Sequence, residues 1–260
     1  LATLSLITIA PQSRAQQSSP RYVAIVVIDA CRPDYFELTS MSNLHILMNS
    51  GVSYSNAWVG QLESNTPPAH ATLSTGSFPR NQGVIGFGWR EPNTGTWTAP
   101  TSIDAVKQGK LAETIANSGA VSIPQLIKEA DPTANVIAVS SDKFFAASAM
   151  GGKYADYVVY SIQSGKMLVP SGVEGQMPPT EILNDPALKR NLPVTAIEHD
   201  TWAMDAALKM LSLTKPRVLM INLPVTDEEG HATGGIVAPQ TMTEVLDNVD
   251  WQLGRLMEAY

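Results

Sequence analysis

Cysteine is almost absent: Cys31 is the only one in 260 residues. An internal disulfide and any cysteine-based zinc cluster within this chain are thereby excluded. Charge is thin as well, with Asp, Glu, Lys and Arg together making 16% against a usual share of about 25%. Positive charge is the scarcer sign, 17 Lys and Arg facing 24 Asp and Glu, for a net charge of −7. Proteins that grip phosphate backbones need clustered Lys and Arg, so nucleic acid is not expected as the main partner. No apolar run reaches the roughly 18–20 residues of a membrane span. Apolar side chains, by contrast, are plentiful at 44%, which excludes a disordered chain and suffices for a sizeable core.

The first ten residues, Leu1 to Ala10, are apolar; Pro11 ends the run, and Ser13-Arg14-Ala15 has the small-x-small form of a signal peptidase site. Residues 1–15 are read as a partial signal peptide, 16–20 as a polar linker and 21–260 as the folded domain. A frayed apolar N-terminal strand is the alternative. The signal reading implies an exported protein, periplasmic or extracellular. Met242 to Tyr260 carries an amphipathic helix pattern in Val245, Leu246, Val249, Leu253 and Leu256, with no cap after it. The domain is therefore expected to continue beyond it.

Between these ends, apolar strand runs alternate with helical patterns. Tyr22 to Ile28 reads as a parallel-sheet strand buried on both faces, and Val52 to Trp58 as a shorter strand. Val136 to Val139, Ala155 to Tyr160 and Arg217 to Leu223 read as further strands. Helices are expected over Met41 to Asn49, Thr66 to Thr75, Ser122 to Ala130 and Asp200 to Leu213. Ser161 to Pro193 is a Gly- and Pro-rich excursion with little regular structure. The alternation implies an α/β fold with a mostly parallel sheet.

In such sheets ligands bind beyond the carboxyl ends of the strands. The first strand runs into Asp29, and the last leads through Pro224-Val225-Thr226 to Asp227 and His231. A carboxylate and an imidazole are ordinary ligands of Zn²⁺, and an Asp-x3-His spacing in a loop can offer both to one ion. Asp227 as a cap, with His231 merely polar, is the other reading of that spacing. Thr66 stands where a helix should begin, as N-cap with Pro67 at the first helical position, so free N–H groups would face an anion. It is either a simple cap or a nucleophile. A hydroxyl needs a base or a metal to act at neutral pH. No Gly-x-Ser-x-Gly elbow is present, so metal activation is the better chemical reading. His45 and His199 are read as structural, the latter just before a helix capped by Asp200; His70 is expected to orient the turn after Thr66. Cys31 is read as a small buried residue, and Arg32 and Asp34 as a supporting pair.

These segments resemble a known family. Asp29 with Arg32 and Asp34, the run Thr66-Pro67-Pro68-Ala69-His70 with Thr72, Thr75-Gly76, Pro79 and Gly83-Val84, and Pro216 to His231 with Asp250 and Gly254-Arg255 are similar to the type I phosphodiesterases and nucleotide pyrophosphatases of the alkaline phosphatase superfamily. The resemblance implies a three-layer α/β/α sandwich and a two-zinc site, with Mn²⁺ an equally suitable ion. Asp29 and Thr66 would hold one ion, with Thr66 forming a phosphothreonine, and Asp227 and His231 would hold the other. Small phosphate esters, diester or pyrophosphate, are the implied substrates. A phosphomonoesterase, a phosphonate hydrolase or a non-catalytic relative are the alternatives; a sulfatase is disfavoured because Thr66, Pro68 and His70 stand where it would need Cys or Ser followed by Pro and Arg.

The sequence also departs from the family pattern. Gly86-Phe87-Gly88-Trp89, shortly after Gly83-Val84, lacks the family's Asn, Gln82 stands in place of the usual His, and no Asp-His-Gly segment occurs. Phe87 or Trp89 is the substitute expected to stack on a base or aryl leaving group. The remaining metal ligands are expected beyond Tyr260, so this stretch alone is expected to be inactive.

Overall fold

A computed structural model describes residues 22–162, 167–168, 177–193 and 197–260. The expected signal peptide and linker, and part of the excursion, lie outside the described residues. In chain order the elements are β1 (Val23–Ile28), α1 (Ser42–Ser50), α2 (Thr66–Thr75), α3 (Pro79–Gln82), β2 (Trp89–Arg90), β3 (Trp97–Thr98), α4 (Ile103–Lys107), α5 (Lys110–Asn117) and α6 (Ile123–Ala130). There follow β4 (Val136–Ser140), α7 (Phe144–Gly151), β5 (Tyr157–Ser161), β6 (Met167–Leu168), α8 (Thr180–Leu183), α9 (Glu198–Thr214), β7 (Val218–Leu223), α10 (Val225–Thr233) and α11 (Pro239–Ala259).

The main sheet runs in the order β1-β7-β4-β5-β6 among the described residues, parallel throughout except for β6. Side chains alternate along a strand, so each central strand feeds two cores. On β7, Leu219, Ile221 and Leu223 join Trp202 of α9 and Val245, Leu246 and Val249 of α11. Val218 and Met220, on the opposite face, join Leu111 and Ile115 of α5 and Ala147 and Met150 of α7. Helix layers thus cover both faces of the sheet, the three-layer arrangement expected. The indole N–H of Trp202 donates to the Leu188 carbonyl at 3.1 Å, so that largest buried side chain also has its polar atom paired.

Two expectations are corrected. The first strand is half-buried along its whole length, because it forms the edge of the sheet among the described residues. Val52 to Trp58 forms no strand: Val52, Tyr54 and Trp58 are exposed, and no neighbouring strand is there to use their backbone groups. Insertion of β7, the latest strand in the chain, between β1 and β4 brings three carboxyl ends side by side. That switch in order opens the crevice in which α/β sheets place their sites.

Helix α7 lies close on the sheet because its inner face is small: Ala146, Ala147, Ala149 and Gly151 are buried. A Cβ on Gly151 would come within 2.8 Å of the Val158 side chain and 3.2 Å of Ala138. Gly151→Ala is therefore expected to destabilise the fold by about 1–3 kcal/mol through overpacking. A lowered denaturant midpoint at unchanged m-value is the measurement that checks it.

Candidate active site

Asp29 follows β1 directly, and its N–H continues the ladder by bonding the Leu223 carbonyl at 3.0 Å. Ala30 then takes a left-handed conformation, φ 52°, so the chain turns sharply away and leaves the Asp29 carboxylate, buried, at the strand end. Thr66 meets it there. The Thr66 hydroxyl donates to Asp29 Oδ2 at 3.3 Å across the crevice.

Asn65, not Thr66, is the N-cap of α2, and Thr66 is the first helical residue. The shift has a chemical consequence. Pro67 and Pro68 carry no N–H, and the Ala69 N–H already bonds the Asn65 carbonyl at 3.1 Å. Of these four residues only Thr66 brings an amide that an anion can use, so the expected row of donors shrinks to one.

Behind Thr66 lies a buried chain of polar groups. His70 Nδ1 is 2.8 Å from the Thr66 carbonyl, which can only accept, so Nδ1 carries the hydrogen. Nε2 then accepts from the Asn222 amide at 2.9 Å. The Asn222 carbonyl oxygen accepts from the Ser140 hydroxyl at 2.9 Å, and the same amide group also stabilises the Asp29 carboxylate. Burial lowers the His70 pKa below its usual 6.5, in keeping with a neutral ring in this tautomer. His70 thus orients the turn as expected. Gln82, fully buried, accepts from the Val84 N–H at 2.8 Å and donates to the Pro68 carbonyl at 3.3 Å, tying the next turn to the start of α2.

Asp227 and His231 lie on a helix, α10, rather than in a loop. Four residues apart on a helix, they share one face, with His231 Nε2 3.4 Å from Asp227 Oδ1. The start of α10 is held from outside: Asp200 Oδ1 accepts the Val225 N–H at 3.1 Å. Asp200 is not the cap of α9 but lies inside its first turn, fully buried, and that burial pushes its carboxyl up to about 8. Opposite α10, Lys143 Nζ sits 2.5 Å from Asp227 Oδ2. Burial disfavours the ammonium, but the bond to Asp227 and the charges of Asp29 and Asp142 outweigh it and raise the Lys143 pKa. Burial, reinforced by Asp227, also raises the Asp29 carboxyl, and His70 and Lys143 pull it only partly back.

The crevice brings the Thr66 hydroxyl to Asp29 and the His231 ring to Asp227, and Asp227 is near enough to Asp29 to raise its carboxyl. Phe87 stands edge-on to Phe145 with ring centroids 5.2 Å apart, and Lys143 lies 6.0 Å from the Phe145 ring, so Phe87 is near the crevice. Trp89 instead spends its indole N–H on Glu91 at 2.8 Å. Arg32 and Asp34 pair at 2.6 Å in the open. Burial pushes the Cys31 thiol up to about 11, an inert group packed beside the core. Lys143, Asn222 and Asp200 escape the sequence reading. Lys143 follows a strand end as Asp29 does, and Asn222 is the lone amide in RVLMINL; both signals were available. Asp200 offers none, because its partner is 25 residues away in sequence.

The donors fit metal ions. Asp29 is a buried carboxylate raised by desolvation, a state that a cation relieves. Asp227 and His231 add oxygen and nitrogen, a set suited to zinc or manganese.

Comparison with known proteins agrees. The profile of the family "Type I phosphodiesterase / nucleotide pyrophosphatase" matches residues 23–260. Among solved structures, murine ectonucleotide pyrophosphatase/phosphodiesterase 5 is 19% identical with a TM-score of 0.54, over 91% of this chain and 52% of that one. Phosphonoacetate hydrolase from Sinorhizobium meliloti 1021 is 18% identical with a TM-score of 0.65, over 92% and 54%. Alkaline phosphatase PafA is 18% identical with a TM-score of 0.69, over 92% and 60%. The likeness is one of fold, and the chain spans little more than half the length of these structures. No curated protein matches it significantly in sequence.

The polar chain behind Thr66 predicts its own weak point. Asn222→Leu keeps the volume but leaves the His70 ring nitrogen and the Ser140 hydroxyl buried without a partner. A loss of about 2–4 kcal/mol in urea unfolding is expected from two such groups.

Proposed function

The chain belongs to the type I phosphodiesterase/nucleotide pyrophosphatase family, and from that premise we propose that it hydrolyses phosphodiester or pyrophosphate bonds of nucleotide-like substrates through a phosphothreonine at Thr66. The observation that carries the reading is the buried Thr66 hydroxyl, 3.3 Å from Asp29 at the start of a helix. Family and fold support phosphoester hydrolysis; the bond type, the nucleophile and the ions are part of the proposal, as is export of the protein.

Asp29 with Thr66, and Asp227 with His231, would hold two Zn²⁺ ions, which supply hydroxyl acidification and neutralisation of phosphoryl oxygen charge. The chain's own residues do the rest. Asp29 fixes the Thr66 hydroxyl by accepting its hydrogen, and His70 fixes the backbone of the same residue. Thr66 Oγ1 gives its hydrogen up to solvent and forms the new bond to phosphorus as the bond to the leaving oxygen breaks in line, that oxygen taking a proton from water. The Thr66 N–H and the Lys143 ammonium face the oxygens on which charge gathers. Water then cleaves the phosphothreonine and restores the hydroxyl. Phe87 offers a face on which a base or aryl leaving group can stack.

One observation favours a second reading. Lys143 adds a half-buried positive charge beside Asp227, and a monoester dianion gains more from it than a diester monoanion does. Phosphomonoester hydrolysis is the reading this supports.

Thr66→Ala in the full-length protein is expected to lower turnover of bis-p-nitrophenyl phosphate by about 10³-fold or more. Acid quenching of the parent should trap phosphate on the peptide containing Thr66. Full activity in the variant would remove Thr66 from the mechanism. Lys143→Ala separates the two substrate readings: on the monoester reading, kcat/KM for p-nitrophenyl phosphate falls about 10²-fold and that for the diester falls less. Equal losses favour the diester reading.

A further inference from the structure

Three side chains that this reaction does not use converge behind α10. Asp142 lies in the turn after β4, His199 in the first turn of α9, and Glu228 in α10 next to Asp227. One ligand atom from each lies within 4.8 Å of the others. His199 is fully buried, and its Nε2 is 2.7 Å from the Pro193 carbonyl oxygen. A carbonyl only accepts, so Nε2 carries the hydrogen, and in the neutral ring Nδ1 presents a bare lone pair.

That lone pair has no hydrogen-bond partner and faces Asp142 Oδ1 at 3.9 Å. Asp142 Oδ1 and both carboxylate oxygens of Glu228 are likewise buried and unpartnered, as is Oδ2 of the neighbouring Asp200. Acceptors directed at acceptors away from water repel, and the cost is severe unless a cation lies among them. Lys143 bonds Asp227 at 2.5 Å and none of these atoms. A proton shared by Asp142 and Glu228 would quiet that pair but leave the His199 nitrogen facing a carboxylate. A metal ion answers all three at once.

We propose that Asp142, His199 Nδ1 and Glu228 form a third divalent-metal site, separate from the Asp29–Thr66 and Asp227–His231 positions, that takes Zn²⁺ or Mn²⁺. An imidazole nitrogen beside two carboxylates suits these ions and not Ca²⁺ or Mg²⁺, which prefer oxygen alone. The bond from His199 Nε2–H to Pro193 is the outer contact that orients metal-binding imidazoles. The ion would clamp the turn after β4 and the first turns of α9 and α10 together. Lys143 follows Asp142, and Asp227 precedes Glu228, so the clamp sets the geometry of both site residues.

The test uses the full-length protein, stripped with EDTA, reloaded with Zn²⁺, gel-filtered and assayed by elemental mass spectrometry. His199→Ala is expected to lower bound Zn²⁺ by about one equivalent per chain, whereas Asp29→Asn leaves that equivalent in place. Unchanged Zn²⁺ in His199→Ala, with loss in Asp29→Asn, overturns the third site and leaves the catalytic reading standing. Loss in His199→Ala without loss in Asp29→Asn supports the third site and counts against the catalytic pair. Should His199→Ala misfold, Asp142→Asn with Glu228→Gln removes the charges at constant size. Compared in the Asp29→Asn background, that variant should melt above its parent in EDTA and gain less from Zn²⁺. Equal melting in EDTA and an equal gain from Zn²⁺ overturn the proposal.

Discussion

Asn222 is the constraint on which the site depends. It stands one residue before the end of β7, where every other residue of the strand is apolar and buried, and its amide serves Ser140, His70 and Asp29 together. A buried amide tolerates few geometries, since each unmade bond costs about 1–3 kcal/mol. The orientation of Asn222 therefore selects the His70 tautomer, and His70 in turn holds the Thr66 carbonyl. Strand register acts through the same residue: Asn222 is paired with Val27, two residues before Asp29. A slip of one residue would turn the amide into the opposite core and leave the Ser140 hydroxyl and the His70 ring nitrogen without partners.

Around this frame the charges are unbalanced. Asp29 and Asp227 share the crevice with one ammonium, Lys143, and behind it the half-buried Asp142 and Glu228 join the fully buried Asp200. Burial pushes the Glu228 carboxyl up to about 10, and Asp142 beside it contributes. Five acids beside one ammonium leave this part of the fold short of positive charge. The sheet makes that possible, because its closely packed strand ends exclude solvent while backbone ladders hold the acids in place.

The layers of the fold were legible in the sequence for a simple reason. Continuous aliphatic runs such as VIAVS and VLMINL can be covered only by helices on both faces, and the helices between them carry clear periodicity. Thr66 to Thr75 matches its helix because proline at one end and glycine at the other mark the limits. The run from Val52 to Trp58 misled because strand propensity has no effect without a pairing neighbour. Helix α10 escaped notice because its apolar face is short and Gly230 interrupts it. Of the site, residues that end strands could be read directly. Those that act through tertiary contacts could not: Asp200 holds the start of a helix from a different element, and His199 looks structural until one ring nitrogen is traced to Pro193 and the other is found buried without a partner.

The two prolines after Thr66 remove hydrogen-bond donors, but they also restrict the unfolded chain. Each fixes its own φ and disfavours alternative conformations of the residue before it. The segment that carries the hydroxyl therefore has less freedom to lose when the protein folds. On the proposed reaction, rotational entropy that a flexible loop would surrender in each cycle would be given up once, during folding, with the Thr66 oxygen already aimed when a phosphate arrives.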